Sequence, residues 1–450
     1  MREASSLIDT SPSAIPSICL RLKKTLSGQA FELWRAGSAG WSRAKGMNRT
    51  ARADVVGCTI GANREGDEVR IEVLKSHGLA TLLAGLACLS FVSGQEAKAP
   101  APESLASFRG RAEEGDIDAQ ERLGIMYFHG VGAPQDYAEA ARWYRKAADQ
   151  GNAFAQGELG RMHYIGQGVP QDYKEAMKWY RLVAERGDAF AQFNVGIIYY
   201  HGLGTPQDYA EAARWYRKAA DQGYAVAQVN LADMYYEGQG VPQDYKEAAK
   251  WQGLAAEHGD AFAQYSFGLM YYQGRGVSQD YAAAVRWWLK ASEQGYAGAQ
   301  LFLGLMYYLG QGVARDYARA VEWYRKAAEQ GNTDAQFRLG GMYSNGQGVP
   351  QDHAKGVEWY RMAAEQGNTG AQFKLGLMYY QGQGVLQDPV EAHMWISLAA
   401  SRASGDNQRD YADMRRLVAQ KMTAQQIAEA QRRAREWKPK TTQEMKTHLK

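Results

Sequence analysis

Eight times along the chain two glycines flank a single residue, from Gly130 and Gly132 through Gly166 and Gly168 to Gly382 and Gly384. A Gly-x-Gly loop can cradle phosphate when it follows a strand and leads to a third glycine at the head of a helix. Here each pair follows a stretch of helical period, has no third glycine, and recurs at one phase, so the pairs read as turns. Ser42 and Lys45 have the Ser-x-x-Lys spacing of a serine nucleophile with its lysine, but no Lys-Thr-Gly segment follows. His129 and His201 share one phase 72 residues apart, too far to share a metal without further ligands, while His163 and His353 stand where equivalent positions hold Tyr. The repeated region contains no HExxH, no CxxC and no nucleophile elbow. With no nucleophile, base and orienter brought together by motif, the expectation is a protein that is not an enzyme and uses neither cofactor nor metal.

The elements that carry these residues are set by a period. "PQDYAEAARWYRKAADQG" occupies 134–151 and again 206–223, and Ala-Gln recurs at 119, 155, 191, 227, 263, 299, 335 and 371. Trp143, Trp179, Trp215, Trp251, Trp287, Trp323, Trp359 and Trp395 keep the same 36-residue step. A fixed period of this size signals a solenoid or array. Within one unit Ala119, Leu123, Met126 and Tyr127 lie at helical spacing, and Tyr137, Ala140, Ala141, Trp143, Tyr144, Ala147 and Ala148 do so again. Glycines separate the halves, and Asp136, Asp172, Asp208, Asp244, Asp280, Asp316 and Asp352 stand where an N-cap belongs. Each unit therefore predicts a helix–turn–helix hairpin that buries its apolar face only by stacking on its neighbours, with the Trp rings in the core.

The recurring "AQxxLGxMYYxGxGVxQDYxEAxxWYRKAAxQG" resembles the Sel-1-like repeat family, a branch of the tetratricopeptide-like α-solenoids, over residues 103–402. "MTAQQIAEAQRRAREW" (Met422–Trp437) is similar to that family's C-terminal capping helix. The resemblance implies an all-α, right-handed α-solenoid of eight 36-residue repeats with a cap over 403–437 and a basic tail over 438–450. It also implies a scaffold that holds a protein or peptide partner. Some cysteine-rich relatives are described as β-lactamases, so a cell-wall-active hydrolase is the alternative; the absence of Cys from these repeats argues against it. A third reading is an inhibitory sensor subunit docked on a membrane kinase's outer domain.

If the agreement between units is architecture, function belongs to their disagreement. Three phases of the first helix vary while sharing one face at i, i+3 and i+7. In the solenoids it resembles the first helix lines the concave surface, so these positions are the expected groove. Along it stand Asn194, then Asn230, Asp233 and Glu237 as an acidic, hydrogen-bonding stretch, then Leu269, Phe302, Leu305 and Leu309 as an apolar patch, then Arg338 and Lys374. That order suits an extended or helical peptide with an apolar anchor and a basic neighbour. The expectation is that Phe302→Glu with Leu309→Glu ends partner capture and spares the fold. The competing reading packs Phe302 into the adjacent helix, because position 301 and its equivalents Phe193, Val229, Tyr265, Phe337 and Phe373 are apolar too.

Before the repeats, residues 1–72 lack sustained periodicity. Lys75, the apolar stretch Gly78–Val92 and Val92-Ser93-Gly94 before Gln95 have the layout of a secretory signal peptide over 73–94, followed by a Pro-rich linker over 95–102. About 15 apolar residues fall short of the roughly 20 that span a bilayer, so no stable membrane insertion is expected once the signal is cleaved. A signal that begins near residue 73 implies translation from Val73 or Leu74, with 1–72 an unstructured or mis-annotated leader. Gln95–Lys450 holds 40 Lys and Arg against 41 Asp and Glu, a balance that gives no reason to expect nucleic acid. Cys19, Cys58 and Cys88 all precede it, so the solenoid needs no disulfide. Export to the periplasm or the medium is the expected location.

Overall fold

A computed structural model of the chain describes residues 105–441 and Glu444. The leader, signal and linker segments, and Ser42 with Lys45, lie outside the described residues. The described residues form nineteen α-helices and no strand. Helix α1 (Leu105–Glu113) precedes eight hairpins, α2 (Ile117–His129) with α3 (Tyr137–Asp149), α4 (Ala153–Ile165) with α5 (Tyr173–Ala184), and α6 (Ala189–His201) with α7 (Tyr209–Asp221). They continue as α8 (Ala225–Glu237) with α9 (Tyr245–Glu257), α10 (Ala261–Gln273) with α11 (Tyr281–Glu293), and α12 (Ala297–Leu309) with α13 (Tyr317–Glu329). The last two are α14 (Thr333–Asn345) with α15 (His353–Glu365) and α16 (Thr369–Gln381) with α17 (Pro389–Arg402), before α18 (Asp406–Ala419) and α19 (Ala424–Glu436).

Each hairpin is punctuated as its sequence predicts. Asp136 accepts from the backbone N–H groups of Ala138 and Glu139, and the equivalent aspartates through Asp388 cap every second helix. The paired glycines have separate duties. Gly166 ends α4 at φ 73°, the left-handed cap. Gly168 has φ 74°, and a Cβ there would collide with the Tyr137 carbonyl of the preceding repeat. The turn of one repeat thus rests directly on the backbone of the previous second helix, and the same contact recurs at Gly240 against Tyr209 and Gly312 against Tyr281. Packing and architecture, with no anion in the argument, account for the Gly-x-Gly motif.

Within a repeat, a helical glycine on the first helix receives the ring that follows the Trp on the second. A Cβ on Gly160 would lie 2.8 Å from the Tyr180 ring, and one on Gly340 would lie 2.6 Å from the Tyr360 ring. Repeat four changes both partners together: Ala232 replaces the glycine and the slimmer Gln252 replaces the tyrosine. Between repeats, an arginine of one second helix reaches the next first helix. Arg325 donates to the Tyr343 hydroxyl at 2.9 Å and Arg361 to that of Tyr379 at 2.6 Å. Arg217 donates to the Tyr235 hydroxyl and lies 5.3 Å from the Trp251 ring centre. Gly253 and Leu289 interrupt this row. A Cβ on Gly253 would meet the Phe267 ring at 3.0 Å, and Phe267 in turn lies 5.3 Å from Trp287. At that joint aromatic packing replaces the polar staple.

Five of the eight period-defining tryptophans are buried, while Trp287, Trp323 and Trp359 are half-buried. In repeat five the fully enclosed indole is instead Trp288, whose Nε1 donates to the Tyr265 carbonyl at 3.0 Å. At the far end α18 and α19 cover the last repeat. Tyr411 stacks on Phe373 at 4.0 Å, Trp437 meets Trp395 at 6.3 Å, and Thr423 and Gln426 form a capping box at the start of α19.

Candidate functional site: the outward face of the first helices

On each first helix the residues equivalent to Ala119, Leu123 and Gly124 are buried between neighbouring second helices. The phases that vary from unit to unit lie chiefly off that seam. Glu237 and Lys374 are exposed, and Asn230, Asp233, Leu269, Leu309 and Arg338 are half-buried. The Arg338 guanidinium sits 5.9 Å from the centre of the Tyr324 ring.

Three expected groove residues are placed differently. Asn194 is buried, with Nδ2 donating to the Phe190 carbonyl of its own helix at 2.8 Å. Leu305 is only 6% exposed and belongs to the core. Phe302 is half-buried, its ring 4.9 Å from Trp288, 5.9 Å from Tyr265 and 6.1 Å from Tyr272. The enlarged Trp-Trp pair at 287–288 and the aromatic neighbours draw Phe302 inward, so the apolar patch is largely packing. Phe302→Glu would bury a charge against indole and cannot spare the fold. The signal that separates these readings in sequence is the Tyr→Trp change at 288, one turn-contact away.

Sequence reasoning missed one phase. Phe154, Phe190, Val226 and Phe262 stand at the second position of α4, α6, α8 and α10, where the other first helices carry Asp118, Gly298, Asp334 and Gly370. Phe154, Phe190 and Val226 are 49%, 44% and 45% exposed. Each lies at i−4 to the phase of Glu158, so the position extends the outward face toward the helix N-terminus. The variation between "AFAQ" and "TDAQ" was the available signal.

No arrangement of catalytic side chains emerges among the described residues. His163 is buried with neither ring nitrogen hydrogen-bonded, His129 and His201 are exposed on separate repeats, and no group of three His, Cys, Asp or Glu could hold a metal. The cations of a cleft around Trp215 are already engaged: Arg181 pairs with Glu185 at 2.9 Å, Arg214 with Glu211 at 2.6 Å, and the Lys218 ammonium lies 3.8 Å from the Trp215 ring centre. No described helix is long and apolar enough to cross a membrane.

The Sel1 repeat family matches eight consecutive segments, 117–152, 153–188, 189–224, 225–260, 261–296, 297–332, 333–368 and 369–404. The chain is a Sel1 repeat protein. A Sel1 repeat protein from Oxalobacter formigenes is 31% identical, with a TM-score of 0.57 over 78% of this chain and 98% of that one. The uropathogenic Escherichia coli protective antigen c5321, which displays an SLR fold, is 33% identical over 74% of this chain and 86% of that one, with a TM-score of 0.40. No curated protein matches the chain. Its Sel1 repeats form an all-α solenoid of a kind that generally serves protein interaction.

Proposed function

We propose that this Sel1 repeat protein is a non-enzymatic scaffold or regulator that holds a protein or peptide along the concave surface lined by its first helices. One observation carries the reading: side chains that repeat are buried in the joints, whereas Asn230, Asp233, Glu237, Leu269, Arg338 and Lys374 change from unit to unit on the outward face. The mechanism is positional. Rigid hairpins hold a long strip of unlike side chains, and a partner is gathered or restrained against it. We place the protein outside the cytoplasm, in the periplasm or the medium, because Lys75–Gly94 has the order of a cleavable signal; a native mature chain starting at Gln95 supports this and an intact start at Met1 contradicts it.

Cross-linked capture from the source cell's envelope tests the binding surface. The tagged chain is expected to hold a defined partner set that the Asn230→Ala/Glu237→Lys/Lys374→Glu form loses with its helicity unchanged. Retention of the whole set by the variant would move the surface elsewhere. Turnover of a chromogenic β-lactam above buffer would favour the hydrolase alternative over the scaffold.

A further inference from the structure

In repeats two to six a tyrosine near the end of the first helix meets the tyrosine that opens the second. The pairs are Tyr164 with Tyr173, Tyr200 with Tyr209, Tyr236 with Tyr245, Tyr272 with Tyr281 and Tyr308 with Tyr317, their ring centres 5.1–5.4 Å apart. Repeat seven has Ser344 and His353 there instead. Two neighbours shrink with them: Gly341 replaces the Ile or Leu of repeats one, three, five, six and eight, and Gly356 replaces an alanine. What remains is polar and unsatisfied. Ser344 Oγ turns inward to the place of a Gly356 Cβ and has no hydrogen-bond partner, and His353 Nδ1 has none either. The amides of Gln171, Gln207 and Gln243 each donate to a first-helix carbonyl and to the hydroxyl of the second tyrosine. Gln351 keeps only the carbonyl, that of Ser344 at 2.8 Å. The Tyr360 hydroxyl stands close by, 3.4 Å from the place of a Cβ on Gly341.

We infer that this notch takes a tyrosine side chain of the partner, a statement that deepens the scaffold proposed above and rests on that reading. The other repeats name the occupant, because each fills the place of Ser344 with an aryl ring of its own, Phe128 in repeat one and a tyrosine in the rest. They also show its far wall. Across the joint Phe302 lies 6.1 Å from Tyr272, the Arg161 guanidinium 4.6 Å from the centre of the Phe128 ring, and Gln239 Oε1 accepts from the Tyr200 hydroxyl at 2.9 Å. Their equivalents beside the notch are Lys374, Leu377 and Gln383, so it opens on the outward face. A ring entering from solvent meets the His353 imidazole as the first tyrosine of a pair meets the second, a favourable aromatic geometry. Its far end reaches the floor, where Ser344 Oγ, after a χ1 rotation, and the Tyr360 hydroxyl stand. A phenol satisfies groups that a phenyl leaves unpaired, which selects tyrosine over phenylalanine. Residues 1–104 and 442–450 contain no tyrosine, so neither segment supplies the ring.

The probe is N-acetyltyrosinamide, titrated into the full chain labelled with 13C-histidine, and the His353 ring signal is followed by NMR. A saturable shift is expected, half complete at about 1–10 mM, the range that one enclosed side chain supports. N-acetylphenylalaninamide should bind at least threefold more weakly, and N-acetylalaninamide should leave the signal in place. Ser344→Ala should bring the first two ligands to equal affinity. Ser344→Tyr fills the notch with the chain's own ring, as the other repeats do. It should melt at or above the wild-type temperature, lose the tyrosinamide shift and lose the cross-linked partner set. A shift that does not saturate, an equal shift from the alanine amide, or wild-type binding by Ser344→Tyr would overturn the inference. So would a lowered melting temperature in Ser344→Tyr, which would show the place already closed. Concentration-dependent dimers that Ser344→Tyr abolishes would overturn it in favour of a second copy. If Ser344→Tyr keeps the partner set that Asn230→Ala/Glu237→Lys/Lys374→Glu loses, the scaffold reading stands without the tyrosine anchor; if both forms keep it, both readings fall.

Discussion

At Gln156 a buried amide lacks a bond that its equivalents make. In most repeats this glutamine donates to the last turn of the preceding second helix, as Gln192 does to the Ala184 carbonyl at 3.1 Å, and its Oε1 accepts from a glutamine ending its own hairpin, as Gln192 does from Gln222 at 2.8 Å. Gln156, Gln228 and Gln372 have an unpartnered Oε1, and their hairpins end on Arg186, His258 and Arg402 where the others carry glutamine. Restoring the donor by Arg186→Gln or His258→Gln should raise stability by about 1 kcal/mol each, read as a higher denaturation midpoint. The bond that the Arg186 guanidinium donates to the Gly151 carbonyl is replaced by one from the new amide, because the Nε2 groups of Gln150 and Gln294 donate in the same way to the carbonyls of Gly115 and Gly259. A lowered midpoint would show that the orphaned oxygen is not the weak point. Burial also pushes the hydroxyls of Tyr324 and Tyr360 up to about 12. Their protons are held more firmly folded than unfolded, so this stability is complete below pH 10 and falls as pH climbs toward 12. The fall in melting temperature across pH 9–12 should become shallower in Tyr324→Phe/Tyr360→Phe, with the remainder due to Tyr144, Tyr180 and Tyr216, which burial also raises; an unchanged slope would exclude these two groups.

At the scale of the hairpin, two glycines of similar appearance make opposite predictions. Gly240 has φ 69° and a Cβ there would strike the Tyr209 backbone, so Gly240→Ala should cost about 2–4 kcal/mol from left-handed strain and overpacking together. Gly157 lies inside α4 with nothing within 4 Å of a Cβ, and Gly157→Ala should stabilise by about 0.5–1 kcal/mol. Chemical denaturation of the two variants checks the pair, and destabilisation by both would mean that α4 depends on that open space. The hairpins were legible because their signals are local: Asp caps, glycine pairs and the 3.6 period each act within a few residues. The inward turn of Phe302 was not, since it depends on Trp288, Tyr265 and Tyr272 brought across a repeat joint. Equally, Trp287 satisfies the period but leaves the fully buried place to Trp288, an exchange that spacing alone does not distinguish.

At the scale of the whole molecule, the repeats supply a frame and the outward residues supply its identity. Stability in such a frame is a sum of hairpins and nearest-neighbour joints, so residues off the joints are free to differ without unfolding it. The measurement that tests this most directly exchanges the outward sets of two repeats, placing Arg, Gly and Asn at Asn230, Asp233 and Glu237, and Asn, Asp and Glu at Arg338, Gly341 and Asn345. Melting temperature and cross-linked capture are then read on the same protein. The account predicts a melting temperature within a few degrees of wild type and loss of the captured partner set. An intact partner set would place recognition away from this face, and a collapse in melting temperature would assign these residues to the frame.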